Sequence, residues 1–243
     1  MIDNFYRQGL AKFTQAQFEA ADFDTTFYAN IQKVSSDETE HVSFLTSGLA
    51  DAGAKPVAAC TYNFPLTDVK TFIATASVLE GVGVTAYLGA AAEIMSKAYL
   101  TVEARHSSYV RAGLKQAPFA APFDTPSPYM RCTPLPRASS PAVPSQTPSV
   151  VKAGNTIKLL TTGYTLKAAQ GVTNIYAAFI SVKGPIVVVA TLVDGGFQVT
   201  VPKGFSGQYY AVLTSCNETV SDDTTAAGPA IIGVCLDPCD DSG

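Results

Sequence analysis

Apolar residues recur at helical spacing through the first half of the chain and at alternate positions through its last third. Over Asn4–Ala20, Phe5, Leu10, Phe13, Ala16 and Phe18 fall near one side and predict a first helix. A second helix is expected from a cap at Asp24 or Thr25 to about Ala52. Phe27, Ile31, Val34, His41, Phe44, Leu45 and Leu49 are its inward residues, and Gly53 closes it. After an extended stretch from Lys55 to Pro65, a third helix starts near Thr67, whose hydroxyl can cap it, and carries Phe72, Ile73, Ala76, Leu79, Glu80, Val84, Tyr87 and Leu88. A fourth carries Tyr99, Leu100, Val102, Glu103, His106 and Val110. From Ala117 to Ser149 nine prolines exclude a helix and predict an extended linker, a candidate for O-glycans. Beyond Val150 the period becomes two. Strands are expected at Thr156–Leu160, Tyr176–Val182, Ile186–Val193, Phe197–Val201, Gln208–Thr214 and Ala230–Val234, with a hairpin turn at Asp194-Gly195-Gly196. The expected fold class is α+β in two domains: a helical bundle over 1–116, a Pro-rich linker over 117–149, a small immunoglobulin-like β-sandwich over 150–235 and a tail over 236–243.

Composition narrows the partners. Charged residues are 15% and apolar residues 47%, which excludes disorder for most of the chain. The net charge of −4 leaves no basic patch, so nucleic acid is not an expected partner. No uninterrupted apolar run approaches the length of a membrane span. The five cysteines (Cys60, Cys132, Cys216, Cys235 and Cys239) contain no C-x-x-C and fit disulfides better than a zinc site. Cys60 is expected to pair with Cys132, and Cys216 with Cys235 or Cys239, leaving one odd thiol. With the sequon Asn217-Glu218-Thr219 they point to an exported glycoprotein, extracellular or at the cell surface, whose signal peptide is not in this chain.

The chemistry-bearing pattern is short. The only two histidines each stand three positions after a glutamate, in Glu38-Thr39-Glu40-His41 and Glu103-Ala104-Arg105-His106. Positions i and i+3 share a helix face, so each pair can aim a carboxylate and an imidazole at one ion. With 7 glutamates in the chain, both coincidences arise by chance in roughly one such sequence in a thousand. Two Glu-x-x-His helices, joined by single glutamates from two others, form the di-iron or di-manganese constellation of four-helix bundles. Glu80, alone in an apolar, glycine-rich helix, is the third carboxylate; its bland alternative is a buried acid bonded to an imidazole. Glu40 reads as a solvated or interhelical charge, Arg105 as either a partner of a site carboxylate or a surface cation, and Tyr6, Tyr62 and Tyr87 as either near-site phenols or, more commonly for such tyrosines, packing residues with one hydrogen bond. Gly81, Gly83 and Gly89 follow no strand and precede no Gly-Lys-Ser/Thr, so they mark close helix contact and not a phosphate loop.

These segments, with Phe5-Tyr6-Arg7-Gln8-Gly9-Leu10, Ala59-Cys60-Thr61-Tyr62-Asn63-Phe64-Pro65, Leu79-Glu80-Gly81-Val82-Gly83-Val84 and Pro122-Phe123-Asp124-Thr125-Pro126, carry a resemblance. Late in the chain Gly207-Gln208-Tyr209-Tyr210 and Ala227-Gly228-Pro229-Ala230-Ile231-Ile232 continue it. The chain resembles the secreted fungal ferritin-like proteins, including stress-response and late-sexual-development proteins. The resemblance implies a ferritin-like four-helix bundle and supplies no substrate. Two departures from the family stand out. The glutamates it carries ahead of the Phe-Tyr pair are replaced here by Met1, Ile2 and Asp3, which leaves Asp3 as the remaining fourth carboxylate. The hairpin between Glu80 and Glu103 is also short: the two come level only if it turns near Ala90-Ala91-Ala92, whereas Ser96-Lys97 offers the better turn chemistry.

Two functions follow. One is a metal protein in which Glu38, His41, Glu80, Glu103 and His106 hold two iron or manganese ions for binding or redox chemistry. The other is a metal-free surface protein that keeps the bundle as a scaffold and uses the β domain for self-association or glycan and cell-wall contacts. Catalysis has no further support, because no histidine is left over as a base.

Overall fold

A computed structural model describes residues 1–91, 98–126, 151–161, 166, 174–221 and 224–235. The chain divides into two compact units, Met1–Val84 with Ser96–Pro118, and Thr85–Met95 with Phe119–Gly243. Most of the expected linker and the tail over 236–243 lie outside the described residues.

The helices are α1 (Ile2–Lys12), α2 (Gln15–Ala20), α3 (Thr25–Asp51), α4 (Val69–Gly89) and α5 (Ala98–Gly113). The single first helix expected from periodicity is two. Phe13 turns to extended backbone, and Thr14 opens α2 with a capping box in which its backbone N–H donates to Gln17 Oε1 at 2.9 Å. The break resets the phase, so Ala16, expected inside, is exposed while Phe18 is fully buried. Asp24 caps α3 by accepting the Phe27 N–H at 2.7 Å. At α4 the cap is Asp68, which accepts the Thr71 N–H at 2.8 Å, and not Thr67.

Three helices bury stripes with alternating steps of three and four residues, the helical signature of one face. On α3 the stripe is Phe27, Ile31, Val34 and Glu38; on α4 it is Ile73, Ala76, Glu80 and Gly83; on α5 it is Glu103, His106 and Val110. Phe72 anchors the apolar part, with ring centroids 5.0 Å from Phe5, 6.1 Å from Tyr6, 6.0 Å from Phe13 and 6.1 Å from Phe18. Its ring lies on the α1 backbone at Gly9, where an added Cβ would come within 2.1 Å of it. The second half of α3 departs from expectation. Phe44 and Leu49, expected inward, are 60% and 43% exposed, because the apolar core of this unit takes no α3 residue beyond Val34. α4 is long and apolar enough to cross a membrane, but Phe72, Ile73, Ala76 and Val84 are core residues and Glu80 sits in its middle.

The second unit is β-rich. Its strands are β1 (Val151–Lys152), β2 (Thr156–Leu160), β3 (Tyr176–Ile180), β4 (Ile186–Val189), β5 (Thr191–Val193), β6 (Gly196–Thr200), β7 (Gly207–Thr214) and β8 (Thr225–Cys235). They form a five-stranded sheet, β1-β8-β7-β3-β4, and a three-stranded sheet, β2-β6-β5. Leu159, Phe197 and Val199 of the smaller sheet share one core with Phe179, Ala211, Leu213 and Ile232 of the larger. The run expected as one strand over Ile186–Val193 splits at the buried Ala190, since β4 pairs with β3 and β5 with β6. Asp194-Gly195 makes the expected hairpin turn, with Gly195 at φ +69° and Val193 opposite Gly196.

Cys60, Cys216 and Cys235 carry free thiols. The expected Cys216–Cys235 bridge is ruled out by register. Gly207 pairs with Val234 and Thr214 with Thr225, so the two cysteines lie at opposite ends of the β7–β8 pair. At about 3.3 Å per residue their separation is roughly 25 Å, far beyond a disulfide's reach. Cys132 and Cys239, the other expected partners, lie outside the described residues.

Gly9→Ala should destabilise the helical unit by about 1–3 kcal/mol although alanine favours helices, because the methyl overpacks Phe72. Phe72→Ala should cost about 3–5 kcal/mol. Urea unfolding of the full chain, followed by helical circular dichroism, checks both.

Candidate metal centre

The inward stripes of α3, α4 and α5 stop being apolar at one level, where Glu38, Glu80, Glu103 and His106 meet. Each offers a donor atom, and these atoms lie within 4.8 Å of one another. All four are buried; Glu80 and Glu103 are fully so. α4 ends at Gly89, with turn residues Ala90 and Ala91, and α5 starts at Ala98; the Ser96-Lys97 turn expected from the sequence lies outside the described residues. Glu80 and Glu103 are nevertheless level, with donor atoms within 4.8 Å.

Glu38 Oε1 is the hub. It lies 3.3 Å from His41 Nδ1 and 3.4 Å from His106 Nδ1. His41 Nδ1 is also 3.3 Å from Glu103 Oε1, and His106 Nδ1 is 3.6 Å from Glu80 Oε2. The structure thus brings together all five residues expected from the two motifs and the third helix. Glu40 and Arg105 are exposed, which makes them surface charges.

The donor spacings discriminate between a hydrogen-bonded cluster and a metal site. At 3.3–3.6 Å these N···O pairs are longer than hydrogen bonds. Glu38 Oε1, Glu80 Oε2, both Glu103 oxygens and His106 Nδ1 have no hydrogen-bond partner among the described residues. Buried polar atoms are seldom left so. Two ligands about 2.1 Å from a shared ion, at tetrahedral or octahedral angles, stand about 3.0–3.4 Å apart. The residues present therefore fit a metal ion better than they fit one another.

Two residues outside the expected set complete the site. The Tyr6 hydroxyl donates to Glu80 Oε1 at 2.6 Å, wholly buried, so Tyr6 is more than a packing ring. Asp37 Oδ2 lies 3.5 Å from His106 Nε2, on the far side of the ring from the cluster, where a carboxylate fixes the tautomer of a ligating imidazole. The signal for Asp37 in the sequence is its place one residue before Glu38. Asp3, the expected fourth carboxylate, is buried but accepts from Thr39 Oγ1 at 2.7 Å and lies 3.7 Å from Arg7, away from the cluster. Of the remaining tyrosines, Tyr62 stacks on Phe64 with centroids 5.8 Å apart, and Tyr87 falls in the other unit.

Without an ion, protons carry the compensating charge. The Glu103 and Glu38 carboxylates raise His41 to about 9. Burial opposes the charge on His106, but Glu38 and Glu80 outweigh it and raise this group to about 10. Burial raises Glu103 to about 7. Burial also works against the Glu38 carboxylate, yet the two imidazoles hold it below its ordinary value. The Tyr6 phenol is pushed well up, first by burial and then by Glu80.

These shifts set the pH dependence of the metal-free protein. Stability from the two histidines is complete below their ordinary 6.5 and is lost as pH rises through about 9 and about 10. Glu103, with its ordinary value of 4.5, loses stability in the same direction as pH rises to about 7. Differential scanning calorimetry in chelator should therefore show the melting temperature of the helical unit falling steadily from about pH 6 to about pH 10.

No curated protein matches this chain. Residues 1–116, the stretch that contributes every one of these side chains, match the family model of the ferritin-like domain.

Proposed function

We propose that this chain is a ferritin-like metal protein that binds iron or manganese. Glu38, Glu80, Glu103 and His106 hold one ion, and His41, facing Glu38 and Glu103, supplies the donor for a second. The observation that carries this is the set of buried donor atoms without hydrogen-bond partners, spaced as ligands around a small ion. When bound, such an ion supplies a Lewis-acidic, redox-active position for oxygen or peroxide. The chain's part is to exclude water from the layer, hold His106 through Asp37, and keep one Glu80 oxygen engaged by Tyr6. The secreted, fungal, stress-response character suggested by the motifs belongs to the same proposal, as does glycosylation at the exposed Asn217 and an immunoglobulin-like reading of the β unit.

Reconstitution with Fe(II) or Mn(II) followed by elemental analysis should give at least one equivalent per chain and at most two. His41→Ala or His106→Ala should remove at least one, whereas Glu40→Ala should remove none. Less than one equivalent of iron, manganese or zinc, with the His-to-Ala variants as stable as the parent, would sink the proposal.

A second reading, self-association through the β unit, has its own observation: Val182, Ile186, Val189 and Leu192 are exposed at 52%, 42%, 68% and 73%. On that reading the full chain sediments as an oligomer, and Val189→Lys with Leu192→Lys returns it to a monomer. A monomeric parent at high concentration would remove this reading.

A further inference from the structure

Gly83 lies on α4 three residues beyond Glu80 and continues its inward stripe. A Cβ at this position would lie 2.9 Å from Glu103 Oε2, 3.3 Å from the Glu103 carboxyl carbon and 3.5 Å from Ile2 Cδ1. The Glu103 carboxylate thus rests on the α4 backbone, in space that any other residue type would fill. Two comparisons separate this from ordinary helix packing. Gly9 and Gly113, two other tight glycines of this unit, admit the apolar rings of Phe72 and Phe27. Gly83 alone among them admits a charged-type group, and one that is fully buried with neither oxygen hydrogen-bonded among the described residues. A glycine inside a 21-residue helix also weakens that helix relative to alanine. Its benefit must lie in the room it leaves.

We propose that Gly83 is a positioning residue for the metal centre: by leaving the α4 backbone bare, it sets where the Glu103 carboxylate meets the ion. This rests on the metal-binding reading above. Oε1 faces His41 Nδ1 at 3.3 Å, and on the Oε2 side the carboxylate is bounded by the bare α4 backbone. A methyl group at position 83 closes the slot and forces the carboxylate to rotate or withdraw. Shortening the acid by one methylene gives the space back.

The test uses Co(II), whose visible absorption reports its coordination, titrated into the full chain and into Gly83→Ala, Glu103→Asp and the double variant, with metal-free melting measured alongside. Gly83→Ala should bind Co(II) at least about tenfold more weakly, the scale expected when support of a ligand is lost, with an altered spectrum. Its metal-free melting temperature should be no lower than that of the parent. Adding Glu103→Asp to Gly83→Ala should recover part of the affinity. Three results would overturn the proposal: parental affinity and spectrum in Gly83→Ala, a metal-free melting temperature well below the parent, or losses in the double variant equal to the sum of the single losses. Absence of Co(II) binding by the parent chain would instead defeat the metal reading itself, before any variant is compared.

Discussion

Three carboxylates and two imidazoles share one water-excluded layer of a small helical unit, and the rest of that unit is arranged around the cost of putting them there. Each buried ion forfeits several kcal/mol of hydration unless partners compensate it. The layer has two ways to reach neutrality. Without metal, the carboxylates around them favour protonated imidazoles, and burial favours the protonated form of Glu103. With a divalent ion the same donors give up those protons and meet the ion directly. Protons and a metal ion would compete for one set of atoms. The aromatic cluster around Phe72 supplies the dry side of this layer, and Tyr6, whose ring packs against Phe72, reaches from the apolar core into it.

The parts of this design that were legible in the sequence are those written in spacing. Glu38 with His41 and Glu103 with His106 announce themselves at i and i+3, and the three-and-four stripes of α3, α4 and α5 continue without a phase break from apolar residues into these acids. Glu80 is inward for the same reason, since it stands seven residues after Ile73 and four after Ala76. What spacing does not encode is height and choice of partner. Whether Glu80 meets Glu103 depends on where α4 stops, and Gly89 is a weaker signal than Ser96-Lys97 by turn chemistry alone. The capping box that divides the first helix lay in plain view as Thr14 and Gln17, but continuous apolar periodicity on either side hid it. Asp3 was a reasonable ligand by position; Thr39, on the next helix, offered it a hydrogen bond that no local pattern reveals.

In the β unit the same limit applies to sheet membership. Alternation identifies Ile186–Val193 as extended chain, but one strand and two strands in different sheets have the same pattern. The small, buried Ala190, at the corner between β4 and β5, is the physical mark of the switch. Cysteine spacing misleads for a related reason. Eighteen residues between Cys216 and Cys235 are ample for a loop closure, yet β7 and β8 spend them on an antiparallel ladder that holds the two ends apart.

The number of carboxylates in the layer sets the charge logic of the centre. Four carboxylates would balance two divalent ions. Three, with neutral imidazoles, leave one negative charge over after a first ion and one positive charge over after a second. A first divalent ion would therefore be drawn in by charge and a second would be opposed by it, a bias that low dielectric would strengthen. Tyr6 acts in the same sense. Its hydroxyl occupies Glu80 Oε1, so Glu80 presents Oε2 alone to the cluster, beside His106. A carboxylate with one oxygen engaged by a buried phenol would be poorly suited to bridging two ions, whereas Glu38 Oε1 faces both imidazoles. On the metal-binding reading, α1 would thus make the layer asymmetric, because Asp3 is held by Thr39 while Tyr6 engages Glu80.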